Sequence, residues 1–132
     1  MIGIVLVSHG SLADGLRNAA EMIVGPQENF LTIGMDPAAD LDVLRGEIEA
    51  AVDKVGGSAQ TLVLVDLMGG SPSNASSYLA LNGAQVICGI NLPMLLEVLV
   101  QRERATVQEL SELAMQAAKE GVINLTRQLS GK

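Results

Sequence analysis

Short β-branched runs alternate with apolar stripes at helical spacing, and glycine or proline breaks separate them; this rhythm constrains the fold more than any other feature. Ile2 to Val7 forms the first run. Leu12, Leu16, Ala19, Ala20, Ile23 and Val24 follow as a helical stripe that stops at Gly25-Pro26. Phe30, Leu31 and Ile33 make a second strand, then Leu41, Leu44, Ile48, Val52 and Val55 trace a helix closed by Gly56-Gly57. Thr61 to Val65 is continuously apolar and β-branched, as expected of a strand covered on both faces of a parallel sheet. Pro72 opens the next helix, through Ala75, Tyr78 and Leu79. Ala84 to Cys88 reads as strand four, Pro93 to Val100 as its helix, and Val107 to Ala118 as a last helix.

Strand followed by helix, repeated, predicts an α/β fold: a doubly wound, mainly parallel open sheet of order 2-1-3-4 with helices on both faces. Gly121 to Leu125 fits either a short fifth strand or the fraying end of a helix, and periodicity does not choose; we take it as a short antiparallel strand. A length of 132 residues fits a single domain over 1–132, and a hydrophobic content of 48% supplies its core without disulfides. Cys88, the one cysteine, lies in an apolar run and reads as a reduced, buried, structural thiol, which places the chain in the cytoplasm. No apolar run is long enough to span a membrane or form a signal-peptide core. A net charge of -7 and aromatic content of 2% argue against nucleic acid, which requires cationic side chains and stacking platforms.

Ligand sites of doubly wound sheets lie beyond the C-terminal ends of the strands, where the winding reverses. In the expected order, His9 after strand one and Asp66 after strand three emerge there side by side. A carboxylate that accepts the proton of one imidazole nitrogen leaves the lone pair of the other facing the cleft, and so aims a nucleophile. Gly10 and Ser11 on one side, with Gly69, Gly70 and Ser71 on the other, add backbone N–H groups, hydroxyls and two helix N-termini, a cradle suited to phosphate. Each of these residues has an ordinary structural use when taken alone, as a packed histidine, a turn aspartate or loop glycines. Their convergence on one edge carries the reading.

Several segments then resemble the mannose-family enzyme IIA domains of the bacterial sugar phosphotransferase system. They are Ile4 to Gly10 with its Ser-His-Gly, Ala20-Glu21-Met22, Gly25 to Asn29, Val65-Asp66, Gly69 to Ala75, and Gly89 to Glu97. The resemblance implies that His9 takes a phosphoryl group from the phosphorylated carrier protein HPr and gives it to a sugar-specific enzyme IIB, with Asp66 orienting the ring and Ser71 contacting the phosphate. It further implies a homodimer in which the C-terminal strand crosses to the partner. Some family members carry Thr-Trp after the aspartate, where this chain has Leu67 and Met68, and fused members continue through an Ala/Pro-rich linker. The sequence stops at Lys132 without one, so enzyme IIB is expected on a separate chain.

A small metal chelatase of the sirohydrochlorin type is the alternative, because such chains also present His-Gly-Ser after the first strand. A single histidine and a buried cysteine are few donors for a three- or four-ligand metal site, and no metal is expected. A Ser71-His9-Asp66 hydrolase lacks a Gly-x-Ser-x-Gly elbow. Neither a Walker A sequence nor Gly-x-Gly-x-x-Gly follows any strand, so no nucleotide or flavin cofactor is expected.

Overall fold

A computed structural model describes residues 1–131. The chain runs β1 (Gly3–His9), α1 (Leu12–Val24), β2 (Phe30–Met35), α2 (Leu41–Lys54), a 3-10 turn (Ser58–Gln60), β3 (Thr61–Val65), α3 (Ser71–Leu81), β4 (Gln85–Cys88), α4 (Leu92–Gln101), α5 (Val107–Glu120) and α6 (Leu125–Leu129). The strands form one sheet in the order β2-β1-β3-β4, with every pairing parallel. This is the expected order, and β1 and β3 lie side by side at its centre.

The pleat sorts the central strands onto two cores, because successive side chains point to opposite faces. Ile4 and Leu6 of β1, with Leu62 and Leu64 of β3, pack against Ala13 and Ala20 of α1, Leu95 and Val98 of α4, and Leu110 and Ala114 of α5. The alternate residues Val5, Val7, Val63 and Val65 pack against Leu44, Ile48 and Val52 of α2 and Ala75 and Leu79 of α3. Apolar cover on both faces explains why these strands read as unbroken hydrophobic runs.

Caps fix where the helices begin. Asp40 accepts from the Asp42 N–H at the head of α2, and Asn91 accepts from the Met94 N–H at the head of α4 while donating to the Ala118 carbonyl on α5. Thr106 and Glu109 form a reciprocal capping box on α5.

Below the N-terminal edge of the sheet, Arg102 is buried, with 2% of its surface exposed. Its guanidinium donates to the carbonyls of Ile2 (3.3 Å), Asn29 (3.1 Å) and Glu28 (2.6 Å) and to Gln27 Oε1 (3.1 Å). A buried charge persists only with such satisfaction. Here it ties the entry of β1 and the α1–β2 loop to the α4–α5 junction.

Two expectations are corrected. Gly121 to Leu125 is not a strand in this chain: residues 122–124 have no ladder partner, and Asn124 accepts from the Arg127 N–H to start α6 instead. A strand exists only by pairing, and α5 delivers this segment into solvent, where Val122 (79%), Ile123 (57%) and Leu125 (63%) stand exposed. Cys88 is half-buried rather than buried, because β4 is an edge strand; its thiol lies 3.8 Å from Ser73 Oγ. Among the described residues no helix is long and apolar enough to cross a membrane.

Candidate active site

His9 is the last residue of β1, paired with Met35 at the end of β2, and it stands beside the loop that leaves β3. The Asp66 N–H bonds to the Val7 carbonyl (3.1 Å), which carries the β1–β3 ladder one step past the strand and fixes where its carboxylate starts. From there Asp66 Oδ2 accepts twice from His9, at 3.0 Å from the backbone N–H and 2.7 Å from Nδ1. Oδ1 accepts from the Leu67 N–H at 2.9 Å. The aspartate side chain is 7% exposed and the imidazole 45%, so the acid is tucked beneath a ring that meets solvent.

Burial pushes the Asp66 pKa up, but the backbone N–H and ring of His9 and the Leu67 N–H outweigh it, and the net shift is downward. An ionised carboxylate only accepts hydrogen bonds, so Nδ1 carries the proton. The Nε2 lone pair is left without a hydrogen-bond partner among the described residues, on a ring whose side chain is 45% exposed.

The residues expected to form the cradle lie in the two segments that follow β1 and β3. Gly10 turns with φ +52, its N–H donating to the Met35 carbonyl at 2.9 Å, and Ser11 caps α1 by position without a side-chain bond. Opposite, Gly69 turns with φ +95, Gly70 is the N-cap of α3, and Ser71 opens the helix. No side chain caps α3, and Pro72 occupies a first-turn position that needs no N–H, so the helix presents its positive end unblocked. Gly70 lies directly against the ring: an ideal Cβ there would stand 2.8 Å from His9 Cε1. Neither Ser11 nor Ser71 hydrogen-bonds His9 or Asp66, and both are exposed.

Two residues of the site were not singled out from the sequence. Ser8, 1% exposed, accepts from the Ala13 N–H at 2.8 Å and donates to the His9 carbonyl at 3.1 Å, so it fastens the turn after His9 to the first turn of α1. Its signal is one hydroxyl inside an apolar run. Gly34 of β2 leaves open the space that the Gly10 carbonyl fills. A cleft of about 720 Å³ lies elsewhere, on the β4 side between α3 and α5, lined by Ser73, Cys88, Met94, Met115 and Val122 among others.

A parallel sheet with a carboxylate-paired histidine at its switch point, facing an open helix N-terminus, has the make-up of a site that aims a ring nitrogen at a bound anion. Residues 3–115 match the family model described as PTS system fructose IIA component. The chain is 36% identical over 129 residues to the PTS system sorbose-specific EIIA component of Lacticaseibacillus casei, covering 96% of this chain and 93% of that protein. It is 38% identical over 124 residues to the PTS system mannose-specific EIIAB component of Escherichia coli K12, covering 92% of this chain and 38% of the relative's length. The crystal structure of phosphotransferase system component EIIA from Streptococcus agalactiae superposes with a TM-score of 0.89 at 30% identity, covering 96% of this chain and 99% of that one. The chain belongs to the mannose-family EIIA components of the sugar phosphotransferase system. That membership displaces the chelatase alternative.

Proposed function

We propose that this protein is a phosphocarrier of a sugar phosphotransferase system, with His9 Nε2 as the atom that bears the phosphoryl group. The observation that carries the reading is the 2.7 Å contact between His9 Nδ1 and Asp66, which commits one nitrogen and frees the other. In the forward step the Nε2 lone pair forms a bond to phosphorus as the bond from phosphorus to the donor breaks, and the donor keeps that electron pair. Positive charge growing on the imidazole is met by the Asp66 carboxylate. The phosphoryl oxygens face the first turn of α3, with the Ser71 hydroxyl and the backbone around Gly10, Ser11, Gly69 and Gly70 within the same cradle.

The donor in this reading is phosphorylated HPr and the acceptor a sugar-specific enzyme IIB. Incubation with phosphoenolpyruvate, enzyme I and HPr should add one acid-labile, base-stable phosphate, and His9→Ala should abolish it. Labelling that persisted in the variant would end the assignment.

The homodimer belongs to the same reading. β4 has a free edge, the cleft beside it is apolar, and the exposed Val122, Ile123 and Leu125 are suited to cross to a second copy. Sedimentation should give a dimer that dissociates when residues 122–132 are removed; a monomer in the intact protein would refute the exchange.

A further inference from the structure

We infer that Gly70 is a positioning residue for the transfer step, and that the absence of a side chain there seats the His9 ring with Nδ1 on Asp66 and Nε2 outward. The inference rests on the reading of His9 as the phosphoryl acceptor. An ideal Cβ at position 70 would stand 2.8 Å from His9 Cε1 and 3.2 Å from Nε2, inside the roughly 3.5–4.0 Å at which such atoms normally pack. The ring therefore occupies the volume that any other residue would claim.

Neither the backbone nor the helix requires glycine here. At φ -91 and ψ 176, Gly70 is extended in a region open to every L-residue. Its neighbour Gly69, at φ +95, is the one that needs glycine for its conformation. As an N-cap, Gly70 holds a position at which Ser, Thr, Asp or Asn normally bonds the first-turn N–H groups. The two adjacent glycines thus have different uses, one for the turn and one for the ring.

The consequence is directional. With 45% of its side chain exposed, the imidazole can swing aside, so a Cβ at position 70 costs the fold little. The swing must, however, pull Nδ1 from its 2.7 Å contact with Asp66, because hydrogen bonds tolerate little change in length and angle. Without that partner the proton is free to sit on Nε2, and the lone pair is lost from the outward face.

Two variants test this, Gly70→Ala and Gly70→Ser. They share the same Cβ, but serine is the better N-cap. Ring 15N NMR of the unphosphorylated protein should show the Nδ1–H tautomer in the wild type and a mixture in both variants. The transfer kcat should fall about 10- to 100-fold in both, KM for the donor should change much less, and thermal unfolding should be nearly unchanged. A wild-type tautomer pattern in Gly70→Ala, even with slowed transfer, would overturn the proposal, since the Cβ would then merely obstruct Nε2. Recovery of tautomer and kcat by serine would overturn it too, because capping would then be the role of position 70. The tautomer is read with no donor present, so its outcome is separate from whether His9 accepts phosphate, which His9→Ala decides.

Discussion

Replacing Asp66 by asparagine keeps the size and shape of the side chain and reverses one of its polarities. The carboxylate receives three N–H groups on two oxygens: the His9 backbone (3.0 Å) and Nδ1 (2.7 Å) on Oδ2, and the Leu67 N–H (2.9 Å) on Oδ1. An amide offers one oxygen and one NH2. With its oxygen in the Oδ2 place, the NH2 opposes the Leu67 N–H. With the oxygen in the Oδ1 place, the NH2 opposes the His9 backbone, and the ring must turn Nδ1 into an acceptor by moving its proton to Nε2. Each arrangement leaves at least one donor unpaired beside a side chain that is 7% exposed, at a cost of roughly 1–3 kcal/mol. Loss of the charge weakens the remaining bonds by about half. Biasing the proton toward Nε2 by roughly 1.4–2.8 kcal/mol removes the reactive tautomer about 10- to 100-fold. Asp66→Asn should therefore lose about 1–3 kcal/mol in urea unfolding and slow single-turnover transfer from phosphorylated HPr about 10- to 100-fold. Transfer within twofold of wild type, with the ring proton still on Nδ1, would show that the carboxylate does not set the tautomer.

Three further outcomes are expected. Arg102→Met should strip donors from the Ile2, Glu28 and Asn29 carbonyls and destabilise the protein by about 3 kcal/mol or more in urea melts, while His9 labelling of the folded fraction persists. Gly34→Ala should force β2 and the Gly10 turn apart, because the new methyl meets the Gly10 carbonyl; a loss of about 1–3 kcal/mol is expected by calorimetry, and an unchanged melt would contradict the close approach. Because the folded pKa of Asp66 lies below its unfolded value of about 3.9, its stabilisation is complete above that value and disappears as pH falls through the lower folded one. The stability gap between wild type and Asp66→Ala should accordingly close as pH falls below ~4, as followed by urea midpoints.

The sheet was legible because Val5, Val7, Val63 and Val65 alternate with Ile4, Leu6, Leu62 and Leu64 without a polar break, and only a central parallel pair needs that. His9 and Asp66 were legible for the same reason: each is the first strongly polar side chain after such a run, and strand order alone brings them together. What sequence did not show depends on distance across the fold. Gly70 reads as loop punctuation until the ring beside it is seen. Gly34 gives no local signal of its use, which is to accommodate the carbonyl of Gly10 in the turn after β1. Arg102 sits in the polar stretch 101–104, and nothing local distinguishes it from its solvated neighbours Glu103 and Arg104. The C-terminal segment forms no strand within the single chain because strand propensity in Val122 and Ile123 says nothing about whether a ladder is within reach.

Arg102 also sets an order of events. Its bonds to Ile2 and Asn29 span 100 and 73 residues of chain, and they bind the opening of the sheet to a residue three-quarters of the way along it. A ribosome that has released only β1, α1 and β2 has made a nascent chain whose base stays open, its carbonyls hydrated. Closure waits until α4 has emerged, so this protein is expected to complete its fold late in synthesis, as a whole, and not strand by strand.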